Sequence, residues 1–429
     1  MKHNHTNSEA RAKRPKILLT DTTRSPFSAR LAIGFAKGGC DVSAICPTTC
    51  HPLTMTGAVQ ELFPYSALHP LASLSTAIQV VAPTVIVPCD DRSVLHLHEL
   101  YAWSRNLGAS GDNIASLIEN SLGPPESHPI VASRYDLLKI AGDEGIRVPD
   151  MRLLNVADDF DHWKEGQKFP WVLKADGTFG GRGVRVAESL EQAEQNFLEL
   201  CRTYTIKRAL KRWIVNRDPF WLRPFWNRSK PAVIVQSYIH GRPANCAVLC
   251  WQGRLLAGIA VEVVSAQGMS GPATVVRVVD NSEMIHAAER IAHKLGLSGF
   301  FGLDFMIEDG SGTAYLIEMN PRCTPLCHLQ LGKGRDMVGA LLAQLSGRRL
   351  QETPSVTRNN LIAYFPQAWH SKSELLKSSF QDIPQGEPDL VEDLLRPWPD
   401  RSLLFRIGTK ISDFVTAVEE RKSLLRRTL

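Results

Sequence analysis

Short apolar runs closed by turn residues dominate the first quarter of the chain. Lys16 to Asp21 (KILLTD) is one such run, and Ser25-Pro26 then offers an N-cap with proline at the first helical position. Gly38-Gly39 stops that helix, and a second apolar stretch follows from Asp41 to Cys46. Thr84 to Pro88 (TVIVP) is a further buried-looking strand that runs into Cys89-Asp90-Asp91. Strand, helix and strand in this order predict an open parallel α/β unit over residues 16 to 125.

The pattern changes further along. Ser133 with Asp136 makes a capping pair, and Gly145 and Pro149 close the helix between them. Pro170 to Val186 (PWVLKADGTFGGRGVRV) reads strand, glycine loop, strand. From Asn281 to Leu295 the spacing predicts a helix with Ile285, Ala288, Ala292 and Leu295 on one face, ending at Gly296. Phe301 to Ile307 and Thr313 to Glu318 read as two strands joined by Glu308-Asp309-Gly310-Ser311-Gly312, the pattern of a hairpin. Prolines punctuate the chain after Leu350, and Ser412 to Arg427 is expected to be a last helix.

With 429 residues the chain exceeds one ordinary core, so several packed units are expected. The reading divides it into a mobile tail (1–15), the α/β unit (16–125), an α+β unit (126–349) and a small carboxy-terminal extension (350–429). Hydrophobic residues make up 44% and charged residues 22%, which argues against a disordered or fibrous chain. A net charge of +5 is small for this length, so no nucleic-acid partner is implied. Nine cysteines without paired spacing fit reduced thiols in a cytoplasmic protein. The first residues have no apolar core of a signal peptide, and no run approaches the roughly 20 residues of a membrane span.

Candidate chemistry concentrates between residues 134 and 322. The first strand-to-helix turn (DTTRSPFS) lacks the glycine fingerprint of a dinucleotide site. Asp90 and Asp91 stand at a strand's carboxyl end, where they either meet a ligand or cap the following helix. The loop from Gly177 to Gly183, with Gly180 and Gly181 inside it, has a backbone able to fold over phosphates, although a plain surface hairpin would also use such glycines. Lys174 precedes it and can reach a phosphate as a point charge. Asp304 is expected to lie opposite Glu318 across the hairpin, with Asn320 two residues further on the same face. Facing carboxylates inside apolar strands repel unless cations lie between them, and oxygen ligands of this kind suit magnesium. Arg322, after Asn320-Pro321, leaves the same region and can stabilise an oxyanion.

Taken in order, Ser133-Arg134, KADGTFGGRGV, VIVQSYIHG (233–241), GLDF and IEMNPR resemble the ATP-grasp superfamily, in the style of biotin carboxylase and carbamoyl-phosphate synthase. The resemblance covers about residues 16 to 345. It implies an amino-terminal α/β domain, a two-lobed nucleotide unit, and a carboxylate–amine ligase that works through an acyl-phosphate with ATP. It assigns Arg134 and Lys174 to the phosphates, Gly177, Gly180, Gly181 and Gly183 to a lid, and Gln236, Ser237, Tyr238 and Ile239 to an adenine hinge. Asp304, Glu318 and Asn320 would hold two Mg2+ ions, with Mn2+ as an alternative, and Arg322 would sit at the acyl-phosphate. The sequence departs from the common pattern at Arg134, where lysine is usual, and at Gln236 and Asp304, where glutamate is more frequent. Pro243 replaces a carboxylate and leaves the ribose contact unassigned.

Rival readings are a bicarbonate-using carboxylase or carbamoyl-phosphate type enzyme and a non-catalytic nucleotide-binding module. Small-molecule carboxylates and amines are the expected partners, and an oligomer is compatible with the sequence. The segment 204–230 looks like an insertion, mixing Lys207, Arg208, Lys211, Arg212, Arg217, Arg223 and Arg228 with Trp213, Phe220, Trp221, Phe225 and Trp226. It can grip an anionic substrate, lie on a membrane surface, dock a protein, or pack on the body with its charges solvated. Cys323, Cys327 and His328 lack a second ligand pair and read as core thiols rather than a zinc site.

Overall fold

The computed structural model describes residues 14–47, 51–106, 108–177, 183–201, 231–268, 271–347, 349 and 354–396. The insertion at 204–230, the loop residues 178–182 and the expected helix from Ser412 to Arg427 lie outside the described residues.

The first unit is a parallel sheet of β1 (Lys16–Thr20), β2 (Asp41–Cys46), β3 (Glu61–Pro64) and β4 (Val85–Pro88), in the order β3-β2-β1-β4. Its first helix starts where the sequence places it. Ser25 Oγ accepts the backbone N–H of Phe27, Pro26 opens the helix, and Gly38 closes it after Lys37. A second, antiparallel sheet holds β5 (Met151–Leu154), β6 (Trp171–Ala175), β7 (Val184–Ala187) and β8 (Val233–Ser237), in the order β5-β8-β6-β7.

The third sheet has seven strands: β9 (Gly241–Trp251), β10 (Arg254–Ala266), β11 (Ala273–Val279), β12 (Gly299–Glu308), β13 (Ala314–Asn320), β14 (Leu361–Ala363) and β15 (Phe380–Gln381). Their order is β13-β12-β9-β10-β11-β14-β15. Residues of the carboxy-terminal extension therefore complete this sheet, with β14 antiparallel to β11 and β15 parallel to β14.

One face of the large sheet packs against the first unit. Ile17, Leu19 and Phe35 share a buried cluster with Leu249, Ile259, Phe300, Leu341 and Tyr364. The other face carries the helix Ser282–Leu295, whose cap Asn281 accepts from Met284 N and whose end is Gly296 in the left-handed region at φ 62°. That helix buries Met284, Ala287, Ala288, Ile291, Ala292 and Leu295, while Ile285 sits at the margin, partly buried. The buried stripe thus includes Ala287 and Ile291 besides the positions expected from spacing.

Charged and polar contacts tie the extension to the rest of the chain. Arg24 Nη2 lies 2.6 Å from Asp393 Oδ2, and Asp382 sits between Arg30 Nε at 3.5 Å and His328 Nε2 at 2.9 Å. Gly241 marks the tightest approach in the large sheet, because a Cβ there would come within 2.1 Å of the Ile307 carbonyl oxygen. Gly241→Ala is therefore expected to push β9 off β12 and to lower stability by about 1–3 kcal/mol in urea unfolding. A midpoint equal to that of the wild type would show that the strands give way without cost.

Candidate active site

The site is built on the β12–β13 hairpin. Its register pairs Asp304 with Glu318, the expected partners, and Gly302 with Asn320. Immediately after Asp304 the register shifts, so that Phe305 pairs with Leu316 and Ile317 is the extra residue of a β-bulge. The Ile317 carbonyl accepts from Lys174 Nζ at 3.0 Å. The bulge thus gives the small sheet a contact on the hairpin.

Lys174 reaches there because of strand alternation. Trp171, Leu173, Ala175, Val233 and Val235 share the small lobe's own core, which leaves Lys174, Ile234 and Gln236 on the opposite face. Lys174 is 5% exposed. Burial pulls its ammonium down to about 8, against the opposing charges of Glu318 and Asp304.

Arg134, the first residue of the helix Arg134–Asp143, points its guanidinium at the same place. Ser133 fixes the helix start by accepting from Asp136 N. Arg134 Nη2 donates to Glu318 Oε1 at 2.6 Å, and Nη1 donates to the Ala175 carbonyl at 2.9 Å and to Asp176 Oδ1 at 3.3 Å. Burial opposes the charge on Arg134, but Glu318 and Asp176 hold its pKa above the ordinary value. Glu318 is likewise held below the usual carboxylate range, because Arg134 and Lys174 outweigh its burial.

Asp304 behaves differently. Burial and the neighbouring charge of Glu318 raise it to about 6, although Asn320 Nδ2 donates to its Oδ2 at 3.0 Å. Asp304, raised above its ordinary range and facing a second carboxylate with the Asn320 amide beside it, offers oxygen ligands that fit a hard divalent cation. Among the described residues no group of three or more His, Cys, Asp or Glu could hold a metal ion, so such an ion would need further oxygens from phosphate or water.

Arg322 is clamped from two sides. Its Nε donates to Asp91 Oδ2 at 2.9 Å, and its Nη2 donates to Asn320 Oδ1 at 3.1 Å. Burial works against its charge, yet Asp91 keeps it firmly protonated. The two acids after β4 thus divide their roles. Asp90 caps the next helix by accepting from Ser93 N at 2.8 Å and also accepts from Thr22, while Asp91 faces Arg322. Sequence spacing leaves that choice open, because Asp91 and Arg322 stand 231 residues apart.

The remaining expected positions are less closely gathered. Gly177 has φ 69°, open space on its Cβ side, and starts the loop whose Gly180 and Gly181 lie outside the described residues. Gly183 returns the chain, its carbonyl accepting from Ala175 N at 3.0 Å. Gln236 is buried, and its Nε2 has no hydrogen-bond partner among the described residues; Ser237 and Ile239 are half-buried, and Tyr238 is exposed with its ring edge-on to His240. Cys323 and Cys327 are buried free thiols, and Cys327 Sγ accepts from Thr324 N. Asp176 was not singled out by spacing, although it stands in the KADG run that carries Lys174.

Comparison with known proteins bears on the fold. A family model described as an ATP-grasp domain matches residues 220–325. The chain is 24% identical to a carbamoyl-phosphate synthase of Methanobrevibacter smithii over 45% of its own length and 49% of that protein's, so it spans about half of this curated relative. The solved N5-carboxyaminoimidazole synthetase of Staphylococcus aureus complexed with ADP superposes with a TM-score of 0.55 at 14% identity, covering 79% of this chain and 80% of the other. An L-amino acid ligase from Bacillus licheniformis does so with a TM-score of 0.54 at 12% identity, covering 80% and 76%. The chain therefore has the ATP-grasp fold, and an ATP-grasp domain is matched within it.

Proposed function

We propose that the protein is an ATP-dependent carboxylate–amine ligase. The observation that carries this reading is the gathering of three cations around the paired acids Asp304 and Glu318: Arg134 bonded to Glu318, Lys174 to the adjacent Ile317 carbonyl, and Arg322 to Asn320 and Asp91. Cations for phosphates and acids for a divalent ion in one place suit phosphoryl transfer, in which positioning and charge stabilisation supply most of the catalysis.

In this reading the segment Gln236 to Ile239 receives the adenine, the loop 177–183 covers the phosphates, and Arg134 and Lys174 hold them. Asp304, Glu318 and Asn320 would hold two magnesium ions, or manganese in their place. When bound, such ions would neutralise phosphate charge and align the terminal phosphoryl group. A substrate carboxylate oxygen attacks the γ-phosphorus and ADP leaves. The amine nitrogen then attacks the acyl carbon, phosphate leaves, and the nitrogen loses a proton as the amide forms. Arg322 faces the oxygen that becomes negative in that second step.

Asp91 would act through Arg322 by holding its guanidinium. Asp91→Asn is expected to lower kcat about tenfold with the KM for ATP nearly unchanged, and Asp91→Glu to restore part of it. Equal losses for both variants, or a change in the KM for ATP alone, would count against the positioning role.

A location in the cytoplasm accords with the reduced thiols, and among the described residues no helix is long and apolar enough to cross a membrane. The composition of 204–230 supports contact with an anionic partner, and a homo-oligomer is compatible with the reading. The deciding experiment incubates the protein with ATP, Mg2+ and pooled amino acids and dipeptides, with bicarbonate as a separate acid. Phosphate release together with a new condensed mass supports the ligase. ATP bound but never consumed in any pool would overturn it.

A further inference from the structure

Arg134 occupies the acid that the hairpin would present to a divalent ion. Its Nη2 lies 2.6 Å from Glu318 Oε1, and the two side chains are 11% and 28% exposed. Lys174 does not take over that carboxylate, because its Nζ donates to the Ile317 carbonyl instead. The guanidinium assigned to the nucleotide phosphates is thus engaged with a proposed metal ligand when neither is bound.

Two consequences follow from charge pairing. A metal-free nucleotide can gain Arg134 only by taking it from Glu318, which leaves a largely buried carboxylate beside the incoming phosphates. A divalent ion alone can gain Glu318 only by releasing Arg134, which leaves a guanidinium beside a dication. When both arrive, Arg134 moves to phosphate and Glu318 to the cation, so every charge is paired again. Arginine suits this exchange better than lysine, because it cannot discharge by losing a proton and its fork spans both Glu318 and Asp176.

We propose that Arg134 is a placeholder for the divalent cation, so that nucleotide and metal each bind well only in the presence of the other. The inference rests on the nucleotide site proposed above but not on the ligation chemistry. Linkage requires the coupling to be reciprocal.

Titration calorimetry with ADP and with Mn2+ tests it, with no carboxylate or amine present. Glu318→Gln weakens the grip on Arg134, so this variant should bind ADP in chelator at least about fivefold more tightly than the wild type. Arg134→Met frees Glu318, so it should bind Mn2+ without nucleotide at least about fivefold more tightly than the wild type, although its ADP affinity falls. A pure ligand role for Glu318 predicts the same metal-free ADP affinity in Glu318→Gln as in the wild type, and that result overturns the placeholder. Unchanged Mn2+ affinity in Arg134→Met does the same. Thermal unfolding checks both variants, and if one fails to fold the other decides. Product formation in the ligation assay with flat calorimetry would reject this inference alone. Tighter ADP binding by Glu318→Gln without any ligation product would reject the ligase and leave the exchange standing.

Discussion

Arg322→Met is expected to lower kcat by about 10²–10³-fold while leaving the KM for ATP within a few-fold of the wild type, the cost typical of removing one preorganised donor to a developing oxyanion. The guanidinium is held by Asp91 and Asn320, and neither partner can shift to replace it. Methionine keeps much of the side-chain length and removes the charge. Single-turnover measurement should show ATP bound and cleaved to ADP while the amide product forms slowly. If kcat is unaffected and only the KM for ATP rises, Arg322 belongs to nucleotide binding and the oxyanion role is wrong.

The second large effect is expected at Lys174. Loss of a charge-assisted phosphate contact in Lys174→Met should weaken ADP binding by about 1.5–3 kcal/mol, at least about tenfold in affinity. A pH profile separates this from a structural effect. Burial lowers the Lys174 ammonium to about 8, so it is charged below that pH and increasingly neutral above it. Phosphate favours the charged form, so binding draws in a proton once the pH exceeds about 8. Wild-type affinity for ADP should therefore fall as the pH rises above about 8, by up to tenfold per pH unit. The Lys174→Met variant should lose that slope. A wild-type profile that stays flat from pH 7 to 9.5, or a variant with the same slope as the wild type, would remove Lys174 from the phosphates.

Local features were legible in the chain itself. Ser25-Pro26, Ser133 with Asp136, and Asn281 with Gly296 mark helix ends because their side chains or φ preferences act within a few residues. The turn from Glu308 to Gly312 marks the hairpin, but the register it sets would bring Asp304 opposite Ile317, and the bulge at Ile317 is what brings Glu318 opposite Asp304. Tertiary structure decided which charges meet. Arg134 and Glu318 lie 184 residues apart, and nothing in local spacing distinguishes that pairing from a phosphate contact. Asp90 and Asp91 are adjacent and alike in sequence, yet one caps a helix and the other holds Arg322, because successive residues at a helix start point in different directions. The burial of Lys174 also follows from tertiary contact, where its ammonium meets the Ile317 carbonyl at the hairpin's bulge. The addition of β14 and β15 to the large sheet is likewise beyond local pattern, since strands of three and two residues carry too little periodicity to announce a partner; β14 takes its place on β11, and β15 on β14.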